Sequence, residues 1–318
     1  MVYSQGIIPP LWEVVRYFAN RAYQALARAF RGLIPNTDFQ LSKLPGSSFG
    51  GSTAVFFQVQ PNIILKAPVR VLQDQTIQPQ SDVSGKFQNE RLILERLGRH
   101  PLIIGYLGWR PEFPTGLLFA EASQGSLQRV LHEHDATISL ALRRRWFHQA
   151  IRAIEYIHSR GIIHSDLRPD NFLVHGPLLE SSDLQLCDFG GSTCRDLEII
   201  GNQLPDAGFF NPRLPWTPTP DVDIFSLGSI LYTVVVGHWP FRQSCAHFET
   251  LEEMDEYGSL VDDKFSQGIY PAMEGVFGQD IILGCWTRRF VSAEEIVTEA
   301  SKLKYKEQCI RLLSSSSV

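Results

Sequence analysis

Two short clusters of polar residues, each lying between apolar runs, constrain the fold of this chain more than any other feature. The first cluster lies within residues 162–174 and contains His164, Ser165, Asp166, Arg168, Asp170 and Asn171. Burying so many polar groups without hydrogen-bond partners would cost several kilocalories per mole, yet the apolar residues on both sides need to be buried. We therefore expect these polar side chains to line a cleft between packed elements.

The second cluster, residues 184–191, is an apolar run that ends in Asp188, Phe189 and two glycines. The apolar run predicts a buried strand, and the glycines permit backbone conformations that other residues disfavour. A carboxylate at the end of a strand is a suitable ligand for a hard cation such as Mg²⁺. The pattern therefore predicts a metal-binding loop.

Together the two clusters resemble the signature sequences of eukaryotic protein kinases. Residues 164–166 with Asn171 resemble the catalytic loop of that family, and residues 188–190 resemble its metal-binding motif. The resemblance implies that Asp166 orients the substrate hydroxyl or accepts its proton. It also implies that Asn171 and Asp188 hold Mg²⁺ against the phosphates of ATP.

Other residues fit the same resemblance in the expected order along the chain. Arg168 occupies the position where serine/threonine kinases usually carry lysine, and it is expected to neutralise charge on the transferred phosphoryl group. Lys66, at the end of the second predicted strand, would anchor ATP, and Glu90 on the following helix would be its ion-pair partner. Asp223 would hold the catalytic loop in place.

The resemblance also implies a nucleotide site. The residues expected to bind the nucleotide are Gly46, Ser48, Gly50, Gly51, Val55, Lys66, Glu90, Glu121, Ser123 and Leu173. The residues from Glu121 onward resemble the linker between the two lobes, whose backbone would hydrogen-bond adenine.

The glycine-rich loop of this site departs from the family pattern. Counting back from Val55, the three glycine positions fall on Ser48, Gly50 and Thr53; an alternative alignment uses Gly46, Gly50 and Gly51 with a small insertion. In both alignments the backbone is expected to approach the phosphates less closely, which predicts weaker ATP binding or slower turnover.

Three further departures lead to separate predictions. Ala120 falls at the position that controls the back of the nucleotide pocket, which predicts an open pocket. Ser165 replaces the arginine that usually binds a phosphate on the activation segment. This predicts that phosphorylation of Ser192 or Thr193 is not required for activity. Arg213 replaces the glutamate of a usual ion pair, so that pair is not expected to form and the substrate-docking geometry stays open.

The spacing of apolar residues predicts an α+β fold with two lobes. The small lobe, residues 39–121, reads as antiparallel strands over 54–59, 63–67, 102–109 and 116–120, with one helix over 86–97 and a loop over 70–85. The large lobe, residues 125–312, is mainly helical, with the strongest helical patterns over 140–159, 222–236 and 293–313. Residues 39–312 would form the kinase domain, and residues 313–318 a flexible tail.

Residues 1–38 read as a helical extension, because apolar residues recur at helical spacing over 7–34 with arginines between them. Three interpretations remain open. The helix packs on the kinase domain, binds a membrane surface through its arginines, or acts as a mitochondrial-type leader.

Composition argues against several other classes of protein. The net charge of −5 gives no sign of a nucleic-acid partner. The five cysteines are scattered without a CxxC pair, which argues against a disulfide framework or a zinc site and predicts a reduced, cytoplasmic environment. The longest apolar run, residues 224–236, is shorter than the about 20 residues that span a bilayer and reads as a buried helix.

The sequence therefore predicts an ATP- and Mg²⁺-dependent protein kinase that phosphorylates serine or threonine in a protein substrate, with the oligomeric state open. One alternative is a pseudokinase scaffold that keeps the fold and binds nucleotide weakly or not at all. A small-molecule phosphotransferase is less favoured, because those enzymes do not share the motif at 188–190 or the helix that begins near Asp223.

Overall fold

The computed structural model describes residues 42–43 and 54–303, except for residues 69, 74–75, 80, 113 and 202. The described residues all belong to one compact unit. The predicted extension over residues 1–38, the glycine-rich loop with its four candidate residues, and the predicted tail lie outside the described residues. The four loop candidates are Gly46, Ser48, Gly50 and Gly51.

The first part of the described chain is mostly β-structure with one helix. Its elements are β1 (Ser42–Lys43), β2 (Ala54–Gln60), β3 (Ile63–Pro68), β4 (Arg70–Gln73), β5 (Thr76–Pro79), α1 (Ser81–Leu97), β6 (Tyr106–Arg110) and β7 (Gly116–Ala120). Five of the strands form one antiparallel sheet in the order β1-β2-β3-β7-β6. Helix α1 lies against β3 and β7 and buries Phe87, Leu94 and Leu97.

The predicted loop over residues 70–85 is wrong. Strands β4 and β5 pair as a separate antiparallel hairpin, and α1 begins at residue 81, five residues before the predicted start at 86. Residues 70–79 contain only three strongly apolar residues, Val71, Leu72 and Ile77. That number is too small to give the alternating pattern from which a strand is predicted.

The second part is mainly helical. Its elements are β8 (Gly125–Ser126), α2 (Leu127–His134), α3 (Leu140–Ser159), β9 (Ile162–Ile163), β10 (Phe172–His175), β11 (Asp183–Leu186), β12 (Thr193–Cys194), α4 (Pro220–Val236), α5 (Leu251–Ser266) and α6 (Gln279–Trp286), with 3₁₀ turns at Asp135–Thr137, Pro169–Asn171, Leu179–Ser181 and Arg195–Leu197. Residues 293–303 are also helical, up to the last described residue. Together with the antiparallel sheet, these helices confirm the predicted α+β fold with a β-rich part and a helical part. The predicted domain limits stay predictions.

Local sequence signals explain where the long helices begin. Ser139 caps α3, because its hydroxyl oxygen accepts a hydrogen bond from the backbone N–H of Leu142 at 3.2 Å. Helix α4 begins with Pro220, whose missing N–H is not needed in a first helical turn, and ends before Gly237 at φ 93°.

Helix α4 forms the centre of the helical part, because every residue from 222 to 234 is buried. Its polar side chains are satisfied inside the core: the Ser226 hydroxyl shares its one hydrogen between the carbonyls of Val222 at 2.8 Å and Phe209 at 2.5 Å, and Ser229 accepts from the indole N–H of Trp286 at 2.9 Å. The apolar run at 224–236 is therefore a core helix, as predicted. None of the helices in the described residues is both long and apolar enough to cross a membrane.

Candidate active site

A buried ion pair joins the sheet to helix α1. The Lys66 ammonium, near the end of β3, lies 2.7 Å and 3.0 Å from the two carboxylate oxygens of Glu90 on α1. The lysine side chain is 8% exposed and the glutamate side chain 2%. Burial favours the neutral form of Glu90 and raises its pKa, and the nearby Lys66 charge opposes that rise. Two charges this deeply buried stabilise each other only while both are present, so the pair fixes α1 relative to the sheet.

Asp188 adds a third charge to this pair. Its Oδ1 lies 2.8 Å from the Lys66 ammonium, and its side chain is 43% exposed in the cleft. Desolvation by itself would raise the pKa of Asp188, but the charge and hydrogen bond of Lys66 outweigh it and hold the pKa at about 2. Conversely, the two carboxylates raise the pKa of Lys66 despite its burial. Lys66 and Asp188 are therefore ionised at neutral pH, and one Asp188 oxygen is left for a further ligand.

The loop before β10 is attached to helix α4 through Asp223. The fully buried Asp223 carboxylate accepts hydrogen bonds from the backbone N–H groups of His164 at 2.7 Å and Ser165 at 2.8 Å. The ring of His158 lies 2.9 Å from the same carboxylate. These contacts hold Ser165 in the left-handed region at φ 66°, which non-glycine residues rarely adopt. Asp223 therefore holds this loop in place, as the sequence predicted. The contact between Asp223 and His158 was not predicted.

His164 joins the two predicted clusters as a structural residue. Its Nδ1 faces the backbone N–H of Asp166 at 3.3 Å, and its Nε2 faces the carbonyl of Cys187 at 2.9 Å. An N–H needs an acceptor and a carbonyl needs a donor, so these partners fix the neutral tautomer with hydrogen on Nε2. Burial lowers the pKa of His164 and favours the same neutral form.

Asp166 and Asn171 contact each other inside the loop. The Asn171 amide N–H group donates to the backbone carbonyl of Asp166 at 2.6 Å and to its Oδ2 at 3.1 Å. Asp166 Oδ1 is buried and has no hydrogen-bond partner among the described residues. Burial raises the pKa of Asp166 to about 7, although the Arg168 charge opposes that rise. A carboxylate with one unused oxygen and a pKa near neutrality is suited to accept a proton.

Arg168 lies between two carboxylates. Its Nη1 donates to Asp206 Oδ2 at 2.9 Å, and its Nε lies 3.9 Å from Asp166 Oδ2. The two carboxylates outweigh burial and raise the pKa of Arg168, so the guanidinium is charged.

The predicted catalytic and metal-binding residues therefore come together around one cleft. The carbonyl of Asn171 accepts a hydrogen bond from the backbone N–H of Cys187 at 2.9 Å, and Cys187 immediately precedes Asp188. This bond joins the Asp166 loop to the group formed by Lys66, Glu90 and Asp188. The described residues contain no group of three or more histidine, cysteine or acidic side chains that would hold a metal by themselves. Mg²⁺ usually binds one or two protein carboxylates together with substrate phosphates, and the oxygens of Asn171 and Asp188 fit that pattern.

Comparison with known sequences agrees with this geometry. A sequence profile of the protein kinase domain matches residues 50–271. The chain belongs to the protein kinase family. The kinase resembles calcium/calmodulin-dependent protein kinase type 1 of Macrobrachium nipponense, with 28% identity over 198 residues that cover 59% of this chain and 55% of that protein.

Two further relatives come from a plant and a yeast. CBL-interacting serine/threonine-protein kinase 14 of Arabidopsis thaliana is 33% identical over 55% of this chain and 39% of its own length. Carbon catabolite-derepressing protein kinase of Candida tropicalis is 30% identical over 64% of this chain and 31% of its own length. The kinase therefore spans about half the length of the first relative and less of the other two.

The strand register corrects the prediction for the back of the nucleotide pocket. In the pairing of β3 with β7, Lys66 lies opposite Leu117 and Ile64 opposite Phe119, whereas Ala120 lies opposite Ile63. Directly paired residues share one face of a sheet, and neighbours along a strand alternate. Phe119 therefore shares the face of Lys66, and the predicted role of Ala120 is wrong. Phe119 is buried, with its ring centroid 6.0 Å from that of Tyr106 on β6.

The prediction for Val55 is wrong for the same reason. Phe56 lies opposite Lys66 in the pairing of β2 with β3, and Val55 lies opposite Ala67. Val55 is therefore on the face of the sheet that points away from the Lys66 ion pair, while Phe56 packs against the core. The sequence held no signal for this, because residues 54–57 are all apolar or small and give no alternation.

The predicted linker residues use their backbone N–H groups inside the protein. The N–H of Glu121 donates to the carbonyl of Asn62 at 2.8 Å, and the N–H of Ser123 faces Nδ1 of His175 at 3.3 Å. Between them, the N–H of Ala122 has no hydrogen-bond partner among the described residues. Leu173 lies on β10 between the fully buried Phe172 and Val174, so its side chain lies on the opposite, less buried face.

The activation segment, which we define as residues 188–213, is held by hydrogen bonds and an ion pair to neighbouring parts of the fold. The hydroxyl of Ser192, which is fully buried, donates to the carbonyl of His164 at 3.1 Å, and that of Thr193 accepts from the N–H of Gly201 at 2.9 Å. Arg96 of α1 forms an ion pair with Asp196 of this segment. The two hydroxyls that the sequence suggested as phosphorylation sites are thus engaged in the fold.

Arg213 lies at the end of the activation segment and contacts helix α5. Its Nε and Nη2 donate to the carbonyl of Ser266, the last residue of α5, at 2.9 Å and 2.7 Å. A cation at the carbonyl end of a helix is favourable, because unpaired carbonyls carry partial negative charge there. The segment is therefore joined to α5 through a backbone contact.

Proposed function

We propose that this chain is an active protein kinase that transfers the γ-phosphoryl group of ATP to a serine or threonine hydroxyl of a protein. One observation carries the proposal: a buried lysine pairs with a glutamate and an aspartate, next to a catalytic loop whose own aspartate has an unpartnered oxygen. Residues that are far apart in sequence form this arrangement, and each has the charge that phosphoryl transfer requires. The names of the plant, yeast and crustacean relatives support the same activity.

The assigned roles follow from the contacts of each side chain. Lys66 binds phosphate oxygens of ATP, and Glu90 holds the lysine in position. Asp188 and Asn171 hold magnesium, because each keeps one oxygen that the described contacts do not use. Bound magnesium would neutralise charge on the phosphate oxygens.

Asp166 is the proposed base. Its Oδ1 has no hydrogen-bond partner among the described residues and is proposed to accept from the substrate hydroxyl, and its pKa near 7 keeps a large fraction ionised at neutral pH. Arg168 lies beside it and supplies the positive charge that the transferred phosphoryl group needs.

The adenine edge is proposed to bind at Ala122, because the neighbouring N–H groups of Glu121 and Ser123 already donate inside the protein. Leu173 is proposed to contact the base from the opposite side of the cleft. The glycine-rich loop, with Gly46, Ser48, Gly50 and Gly51, is proposed to cover the phosphates.

The kinase is also proposed to need no phosphorylation of its activation segment. Ser165 is buried and carries no charge to receive a phosphate, and Ser192 and Thr193 make hydrogen bonds of their own. Phosphatase treatment should leave the activity unchanged, and loss of activity after that treatment would contradict this part of the proposal.

The proposed cellular setting is cytoplasmic. The helix predicted over residues 7–34 is proposed to pack on the kinase domain, with a membrane-surface contact or a mitochondrial leader as the other outcomes. A fluorescent fusion of residues 1–36 separates them, because a diffuse signal would remove both the membrane and the organelle interpretations.

Transfer of ³²P from ATP to casein or histone, with and without Mg²⁺, tests the main proposal. The wild-type chain should yield phosphoserine or phosphothreonine only with Mg²⁺, and Asp188→Asn should abolish the product. Glu256→Gln, which removes a carboxylate exposed on α5, is the matched control and should keep full activity. Nucleotide binding without transfer by the wild type would favour the pseudokinase alternative.

A further inference from the structure

The Arg168 guanidinium contacts two carboxylates unequally. Nη1 forms a hydrogen-bonded ion pair of 2.9 Å with Asp206, whereas Nε stays 3.9 Å from Asp166, which is beyond hydrogen-bond range. The Arg168 side chain is 32% exposed and that of Asp206 is 52% exposed. Asp166 belongs to the catalytic loop, and Asp206 lies 38 residues after Arg168, on the activation segment.

The position of Asp206 is fixed by a tight turn. The backbone N–H of Phe209 donates to the carbonyl of Asp206 at 3.0 Å, and Gly208 between them adopts φ 87°. A positive φ at the third turn residue is typical of a type II turn and favours glycine. A Cβ atom at Gly208 would also clash with the hydroxyl of Tyr257, so the turn packs closely against α5.

The same turn is anchored to the core. Phe209 is fully buried, and its carbonyl accepts a hydrogen bond from the Ser226 hydroxyl of α4 at 2.5 Å. Helix α4 also carries Asp223, which holds the catalytic loop. Asp206 and Asp166 are therefore both positioned from one rigid helix, and the flexible arginine side chain lies between two fixed acids.

Without Asp206, the nearest acid for Arg168 would be Asp166. A long guanidinium side chain would then close the 3.9 Å gap and form a direct ion pair, because a partly buried cation favours a close counter-charge. Such a pair would cover the carboxylate that has to accept the substrate proton. It would also withdraw the guanidinium from the transferred phosphoryl group.

We propose that Asp206 is a positioning residue for phosphoryl transfer, which draws Arg168 away from Asp166 and keeps both groups available to the substrate. The proposal rests on the proposed kinase activity, because it concerns the same reaction. It makes the activation segment a contributor to the catalytic centre through a fixed carboxylate. Asp206→Asn therefore impairs the chemical step and leaves ATP binding intact.

Steady-state kinetics with a protein that the wild type phosphorylates test the inference. Asp206→Asn should lower kcat by about tenfold or more, the order expected for a misplaced catalytic group. The KM for ATP and the melting temperature should stay near wild type. Asp206→Glu should recover most of kcat, because it restores a carboxylate for Nη1. Glu198→Gln removes an exposed carboxylate from the same segment, and this control should leave kcat unchanged.

A double-mutant cycle shows whether Asp206 acts through Arg168. In the Arg168→Gln background, adding Asp206→Asn should reduce kcat no further, because its target is already lost. If the losses of kcat multiply in the double variant, or if Asp206→Asn has a normal kcat, the inference is overturned. An active wild type would still support the proposed kinase activity in either case. A wild type that transfers no phosphate would overturn both.

Discussion

The two charged clusters of the cleft differ in how completely their groups are paired. In the first, Lys66 lies within 3.0 Å of Glu90 and 2.8 Å of Asp188. In the second, Asp166 has an unpartnered oxygen and a gap of 3.9 Å to Arg168. Every charge of the first cluster contacts an opposite charge, so that cluster resists rearrangement, whereas the unpartnered oxygen of the second is left for a substrate. The first cluster therefore holds the site together, and the second is left ready for chemistry.

Replacing the underpaired carboxylate should separate activity from stability most strongly. Asp166→Asn should lower kcat by about a hundredfold or more, because the proton acceptor is lost. The melting temperature at pH 8 should stay the same or rise. Burial raises the pKa of Asp166 to about 7, so ionisation of this carboxylate destabilises the folded state. That destabilisation is absent below the unfolded pKa near 4 and grows as the pH rises toward 7.

Kinetics and thermal melting of the same preparation check this prediction. A variant that loses activity and also melts well below the wild type would place Asp166 among the structural residues, and the contrast between the clusters would disappear.

Breaking the cluster of Lys66, Glu90 and Asp188 should lower both the activity and the stability of the protein. Lys66→Met should destabilise the protein by about 3–5 kcal/mol, because Glu90 remains buried without its partner. Adding Glu90→Leu should recover most of that stability without recovering activity. Urea unfolding measures the first effect, and phosphate transfer measures the second.

The exposed pair of Arg129 and Glu133 on α2, 3.1 Å apart, is the matched control. Arg129→Met should cost less than about 1 kcal/mol, as is usual for a surface pair. Equal losses for Lys66→Met and Arg129→Met would mean that burial of the first pair has no energetic consequence.

Loosening the loop of the second cluster should give an intermediate effect. Asp223→Asn removes a charged acceptor from the N–H groups of His164 and Ser165, which should cost about 1.5–3 kcal/mol. The value of kcat should fall more than the KM for ATP rises, because Asp223 holds the two residues directly before Asp166, whereas the proposed adenine contacts lie at Ala122 and Leu173. Asp221→Asn, two residues earlier on the same helix, loses only the pair with Arg288 and should cost less than about 1 kcal/mol. A larger loss of stability for this control than for Asp223→Asn would contradict the proposed attachment.

The smallest effect concerns pH. Burial lowers the folded-state pKa of His164 below its usual 6.5, so the unfolded chain takes up the proton first as the pH falls. The stabilisation that the neutral His164 side chain provides is therefore complete above pH 6.5. It is lost below that pH, by at most about 1.4 kcal/mol per pH unit. The difference in stability between pH 7.5 and pH 5.5 should be smaller in His164→Gln than in the wild type. The exposed His132→Gln should behave like the wild type, and an unchanged pH dependence in His164→Gln would show that His164 titrates normally.

Features that depend on neighbouring residues were well predicted from the sequence. Helix α3 has the predicted bounds because its capping serine and its apolar spacing are both local. The loop that carries Asp166 and the residues around Asp188 were predicted to share a cleft because their polar groups lie within a few positions of one another in each motif. Lys66 and Glu90 were paired because one lies on a strand and the other on the next predicted helix.

Features that depend on register or on distant contacts were missed. Ala120 and Val55 were assigned to the wrong face, since a shift of one residue in strand pairing turns every side chain over. The contact between Arg168 and Asp206 spans 38 residues of chain, and no local pattern distinguishes Asp206 from the other acids of the segment.

The sequence by itself determined the family, the candidate catalytic side chains and the main helices, because capping, apolar periodicity and short motifs are local properties of the chain. The tertiary structure alone decided which residues face the cleft and which acid holds Arg168. Those outcomes depend on how strands align and how a distant turn packs on α4, and such contacts form only between parts of the chain that folding brings together.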